Sequence, residues 1–147
     1  KPSAFDGNSK EIEQTGLGNV KIKKEYYEVV LLLLCGKFYL SKWLTYGDDF
    51  HLTGTELMSF KYPFDKLSVE DKDFLRQCYA EFIKRLPSTI QFKLNAGINV
   101  GTFNTSLLWD ITDKSDKVFL KYISDNADMC FEAVEAHISK CVISDKN

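Results

Sequence analysis

The apolar positions fall into two rhythms, a helical one at both ends of the chain and an alternating one in between. In residues 24–34, Tyr27, Val30, Leu31 and Leu34 recur at three- and four-residue spacing, which predicts a helix with one buried stripe. Gly36 interrupts it, and a second helical run follows over residues 37–44. The longest apolar run, residues 29–35, falls far short of the ~20 residues needed to span a bilayer, so it predicts a buried helix and no membrane partner. Thr53 or Thr55 can cap a short helix around residues 56–58, and Pro63 closes that segment. Ser68 with Asp71 makes a capping start for a helix carrying Phe74, Leu75, Cys78, Phe82 and Leu86, which Pro87 stops. Thr112 is expected to cap a further helix bearing Val118, Phe119, Tyr122 and Ile123. Ser124-Asp125-Asn126 then breaks the chain before a last helix over residues 127–142.

The alternating stretch is different in kind. Ile90, Phe92, Leu94, Ala96, Ile98 and Val100 interleave with Gln91, Lys93, Asn95, Gly97, Asn99 and Gly101, the period of a half-buried strand or hairpin. One face is expected on a core, leaving amides, a lysine and glycines on the other. Near the N-terminus, Gly16-Leu17-Gly18-Asn19 lacks the third glycine of a dinucleotide loop, since Lys21 stands there. A turn leading into a short strand at residues 20–22 is expected instead. Residues 1–18 are polar and glycine-containing, and read as a linker or flexible N-terminus ahead of one domain over residues 19–147. The order of elements is mixed and shows no internal repeat, so the expected class is α+β: a mostly helical single domain with a small β-hairpin or sheet.

Charge sharpens the interest in the alternating stretch. The 147 residues carry a net charge of −2 with a pI near 5.7, yet residues 82–109 hold no Asp or Glu and carry Lys84, Arg85 and Lys93. Such a surface suits a polyanion, because no carboxylate there repels a phosphate. The chain has only two arginines, Arg76 and Arg85, so base reading would fall to amides and phosphate contact to lysines such as Lys93 and the group Lys21, Lys23 and Lys24. Gln91, Asn95, Asn99, Thr102 and Asn104 are chemically suited to read bases or bond phosphates. As a plain alternative, the same residues make a solvated hairpin whose Asn and Gly form turns.

Other candidate chemistry is thin. Cys35, Cys78, Cys130 and Cys141 are widely spaced, so reduced thiols are expected. Cys130, His137 and Cys141 share a helix face, but Ala127, Phe131 and Val134 lie there too and no fourth ligand is evident, so no metal is expected. Asp48, Asp49 and His51 form the one close acid–histidine cluster. A turn with a packed or capping histidine outweighs a hydrolytic centre there, since no nucleophile motif accompanies them.

Several motifs occur in an order that is itself informative: Val20-Lys21-Ile22, Leu31-Leu32-Leu33-Leu34, Phe38-Tyr39-Leu40-Ser41-Lys42-Trp43, Tyr46-Gly47-Asp48-Asp49-Phe50-His51-Leu52-Thr53, Leu57-Met58-Ser59-Phe60, and Asn95-Ala96-Gly97 through Gly101-Thr102-Phe103-Asn104. This pattern resembles the target-recognition domain of adenine-specific DNA methyltransferases from type II restriction-modification systems. Three positions depart from it: Cys35-Gly36 stands where many relatives carry an Asn-Ser-like pair, and Asp49 where they carry glycine. The resemblance implies a module that recognises duplex DNA, with Tyr46, Gly47, His51 and Thr53 in or near the DNA-facing loop. It also implies a bacterial or archaeal cytoplasmic setting. Flipping and methylating an adenine needs an Asn/Asp-Pro-Pro-aromatic loop, whereas the three prolines here, Pro2, Pro63 and Pro87, are never adjacent. No catalytic residue and no cofactor are therefore expected in this chain. S-adenosylmethionine and the chemistry would belong to a catalytic methyltransferase domain of the same polypeptide. The alternative is a protein-interaction module docking through Phe50, Phe60, Tyr62 and Phe64.

Overall fold

The computed structural model describes residues 2–13, 20–47 and 53–144. Among them, six helices and one four-stranded antiparallel sheet build a mostly helical α+β domain. Helix α1 (Tyr27–Cys35) is entered through a 3-10 turn at Lys24–Tyr26. Its Val29, Leu32 and Leu33 join Leu75, Cys78 and Phe82 of α4 (Val69–Arg85) and Ile111, Val118 and Phe119 of α5 (Trp109–Leu120) in one core. Each such side chain, fully buried, contributes about 1.5–3 kcal/mol. Helix α2 (Lys37–Tyr46) leaves α1 at 66° and packs against α5 and α6 (Ala127–Ser144). No single helix among the described residues is long and apolar enough to cross a membrane.

The buried face of α1 is rotated from the expected one. Val29, Leu32 and Leu33 are buried, whereas Tyr27 is half exposed. In a run that is apolar all round, sequence spacing carries no facing information, and the packing partners decide. The capping signals, being local, hold: Thr53 caps α3 (Gly54–Ser59) in a reciprocal box with Glu56, and the Ser68 hydroxyl accepts from the Asp71 N–H at 3.0 Å. Thr112, by contrast, lies buried inside α5, which begins at Trp109 behind a 3-10 turn (Thr105–Leu108). Asn126 opens α6 by accepting the Met129 N–H at 3.1 Å.

The sheet is assembled from distant parts in the order β2-β1-β4-β3. Strands β3 (Ile90–Asn95) and β4 (Ile98–Phe103) form a hairpin, and β1 (Ala4–Phe5) and β2 (Glu11–Ile12) extend it on the β4 side. Part of the stretch expected as a linker thus enters the sheet, since two-residue strands are too short to show any periodicity. No strand forms at residues 20–22. The sheet meets the helical body mainly through the 3-10 turns at Leu86–Thr89 and Thr105–Leu108, so the hairpin stands out from the helices.

Candidate nucleic-acid interface

The two-residue turn Ala96-Gly97 decides which residues of the hairpin share a face. Both residues have positive φ, 48° and 82°, as a type I′ connection requires. The resulting register pairs Ile90 with Phe103, Gln91 with Thr102, Phe92 with Gly101, Lys93 with Val100, Leu94 with Asn99 and Asn95 with Ile98. Partners across a ladder point to the same side. One face therefore carries Gln91, Lys93 and Asn95 beside Thr102, Val100 and Ile98; the other carries Ile90, Phe92 and Leu94 beside Phe103, Gly101 and Asn99.

This corrects the expectation of a single apolar face on a core. Alternation continues through the turn in sequence, but the turn pairs even positions of β3 with odd positions of β4, so Ile98 and Val100 fall beside Lys93 rather than beside Phe92. Every residue of β3 is exposed. Phe92 packs on Phe5 of β1, ring centroids 5.9 Å apart, yet remains 54% exposed, and Leu94 is 74% exposed.

The candidate readers are accordingly sorted. Gln91, Lys93, Asn95 and Thr102 come together on one open face, with the Thr102 hydroxyl reaching the Gln91 carbonyl at 3.4 Å. Asn99 lies on the opposite face beside Leu94. The Asn104 side chain caps the following 3-10 turn, accepting from the Ser106 hydroxyl at 2.6 Å and the Ser106 N–H at 3.3 Å. Thr53 is likewise engaged: its hydroxyl donates to Glu56 at 2.9 Å and accepts the Glu56 N–H at 3.1 Å. Gly47 ends α2, where a Cβ would stand 2.6 Å from the Trp43 carbonyl oxygen. Tyr46 beside it is 79% exposed. His51 lies outside the described residues, as do Asp48, Asp49 and Phe50. Helix α2, which carries Tyr46, packs on α1, α5 and α6, so Tyr46 and the hairpin are supported by separate parts of the fold.

Ion pairs also narrow the basic candidates. Arg85 grips Asp110 through both terminal nitrogens at 2.6 and 3.1 Å, and this guanidinium holds the Asp110 carboxyl below its ordinary range. Arg85 is thus committed to α5. Arg76 meets Asp73 at 2.9 Å, and with Lys23, Lys24, Glu25 and Glu28 it borders an open concavity of about 660 Å³. The two glutamates there offset the cations that a phosphate would need. Lys84 and Lys93 remain exposed and carry no ion pair among the described residues.

The alternative docking residues change as well. Phe60, Tyr62 and Phe64 pack against the core in a chain of edge-on and tilted ring contacts, and the Tyr62 hydroxyl donates to the Phe119 carbonyl at 2.8 Å. They are structural, not an exposed aromatic patch.

A buried polar cluster at the junction of α2, α5 and α6 had no counterpart in the sequence reading. Lys37 Nζ donates to Asp113 and Glu135, each at 2.8 Å, and sits 5.0 Å from the Trp109 ring and 5.6 Å from the Phe131 ring. Asp116 is fully buried and accepts the Phe38 N–H at 3.0 Å, which makes it the cap of α2 supplied from α5. Gly36 at the start of α2 leaves room for it: a Cβ there would lie 2.3 Å from Asp116 Oδ1. Burial pushes the Asp116 carboxyl up to about 7, against the Phe38 N–H and the Lys37 charge, which favour the ionised form. Nearby, Ser41 Oγ and His137 Nδ1 are hydrogen bonded at 2.7 Å, and the Cys130 thiol donates to Ser124 Oγ at 3.0 Å. Burial also pushes the Cys35 thiol up to about 11, so it is no ready nucleophile. The sequence signal was the unsupported N-terminus of α2 after Gly36, which needs an acceptor from elsewhere.

No protein-family model, curated protein or solved structure matches the chain.

Proposed function

We propose that the chain is a reading module for duplex DNA, whose outer strand β3 meets a groove and positions a methyltransferase domain of the same polypeptide over its target adenine. The observation that carries the reading is the gathering of Gln91, Lys93, Asn95 and Thr102 on one open face of a projecting ribbon. β1 covers the β4 side of the hairpin at Asn99 and Val100, so the outer strand β3 is the part of the sheet able to approach the major groove, about 12 Å wide. The amides of Gln91 and Asn95 can pair bidentately with adenine, while Lys93 neutralises a phosphate and sets the register. Asn99, on the far face, and Asn104 and Thr53, engaged as caps, fall outside this reading set. Tyr46 keeps the exposure of a second contact. S-adenosylmethionine binding and methyl transfer belong to the catalytic domain.

The test is binding of the chain to a duplex library across a salt series. Lys93→Glu should weaken binding to all sequences and flatten the salt slope by about one. Gln91→Ala or Asn95→Ala should relax preference at one base pair, by about 1–3 kcal/mol of discrimination, with less effect on non-specific affinity. Binding that is absent, or unchanged in all three folded variants, refutes the proposal.

A further inference from the structure

The open side of the ribbon points to a second kind of partner. Among the described residues β3 is the outer strand, and its far edge has no neighbour in the sheet. In an antiparallel pair alternate residues turn their N–H and C=O groups away from the partner, so β3 presents a row of unpaired backbone groups. Edges of this kind are normally blunted by proline, a bulge or several charges. β3 has no proline, its register with β4 is unbroken, and Lys93 is its one charged side chain. Along the same strand Ile90, Phe92 and Leu94 stand on one face, 37%, 54% and 74% exposed. The other face sets Lys93 between Gln91 and Asn95, in a sequence window without a carboxylate.

We propose that β3 receives an extended strand from a partner protein, hydrogen bonded along its open edge. The strand's alternate apolar residues cover Ile90, Phe92 and Leu94, and a carboxylate on its other face meets Lys93. Charge complementarity selects an acidic strand over a second copy. A β3–β3 pair that keeps the apolar trio on a common face sets Phe92 opposite its own copy and Lys93 opposite Gln91, so neither lysine gains a countercharge. Such a pair would also join six residues a side, against the roughly 20–30 of a standard protein interface. An added peptide strand needs no such area, because main-chain bonds supply affinity and alternate side chains supply choice. The backbone edge and apolar face carry this proposal without the DNA reading; where both hold, the carboxylate and a phosphate compete for Lys93.

The test uses the full chain with three synthetic peptides: valine alternating with glutamate, valine alternating with lysine, and the glutamate peptide broken by a central proline. The glutamate peptide should bind saturably and slow amide exchange at alternate residues of β3. The lysine peptide should bind more weakly, by about fivefold, as expected for a cross-strand charge pair, and the proline peptide should give no protection. Leu94→Ser, at an exposed position, should weaken the glutamate peptide at unchanged melting temperature, and Lys93→Glu should reverse the preference between the two charged peptides. The proposal is overturned if the glutamate peptide leaves β3 unprotected or if all three peptides bind alike. It is equally overturned if the chain alone forms a dimer that protects the same amides. None of these readouts involves DNA, so failure of the DNA reading leaves them intact.

Discussion

Replacing Asp116 with asparagine isolates the buried carboxyl that caps α2. Its ordinary value of 3.8 is raised to about 7 by burial, so between these limits the folded chain holds a proton that the unfolded chain has released. Stability contributed by this group is therefore fully present below pH 3.8 and is lost as pH rises through 7. The loss is roughly 1.4 kcal/mol per pH unit, about 4 kcal/mol over the window. The group is completely buried, so solvent screening does not reduce the effect. Asp116→Asn preserves the shape and can still accept the Phe38 N–H, but it has no proton to lose. Urea unfolding of both proteins at intervals from pH 4 to 8 gives the difference in stability directly, with titrating groups remote from Asp116 cancelling. The variant should gain on the wild type steadily as pH rises. Parallel curves across the range would show that Asp116 titrates alike folded and unfolded, and would refute the burial argument.

Three further outcomes follow from the geometry. Ala96→Asn should raise stability by about 1 kcal/mol in chemical unfolding, because asparagine tolerates the positive φ that alanine resists at 48°; no gain would mean that the turn is not type I′ in solution. Lys37→Ala should destabilise by about 1.5–3 kcal/mol, since it removes two charge-assisted hydrogen bonds, while Asp113 and Glu135 are exposed enough to be hydrated in its absence. A melting temperature within a degree or two of wild type would contradict that placement. Thr53→Ala removes the α3 capping box and should cost about 1 kcal/mol, with Thr53→Ser restoring most of it.

What the sequence determined by itself was local. Gly36 ending one helix, Thr53 and Ser68 opening others, Pro87 turning the chain and residues 90–103 alternating are all legible, because their causes lie within a few residues: a missing side chain, a cap, a lost N–H. The α+β class and the list of groups able to meet a polyanion follow from the same signals. Tertiary structure decided which of those groups act together. The hairpin turn reversed the parity of β4, so Asn99 left the face of Lys93 and the apolar residues were divided between two sides. The apolar run of α1 turned Val29, Leu32 and Leu33 inward only because α4 and α5 meet it there. Arg85 found Asp110, just beyond the acid-free window, and Lys37 found partners 76 and 98 residues away. Spacing along a chain fixes the direction of a side chain within its own element, whereas facing and charge pairing depend on which elements meet, and that is set by the packing of the whole core.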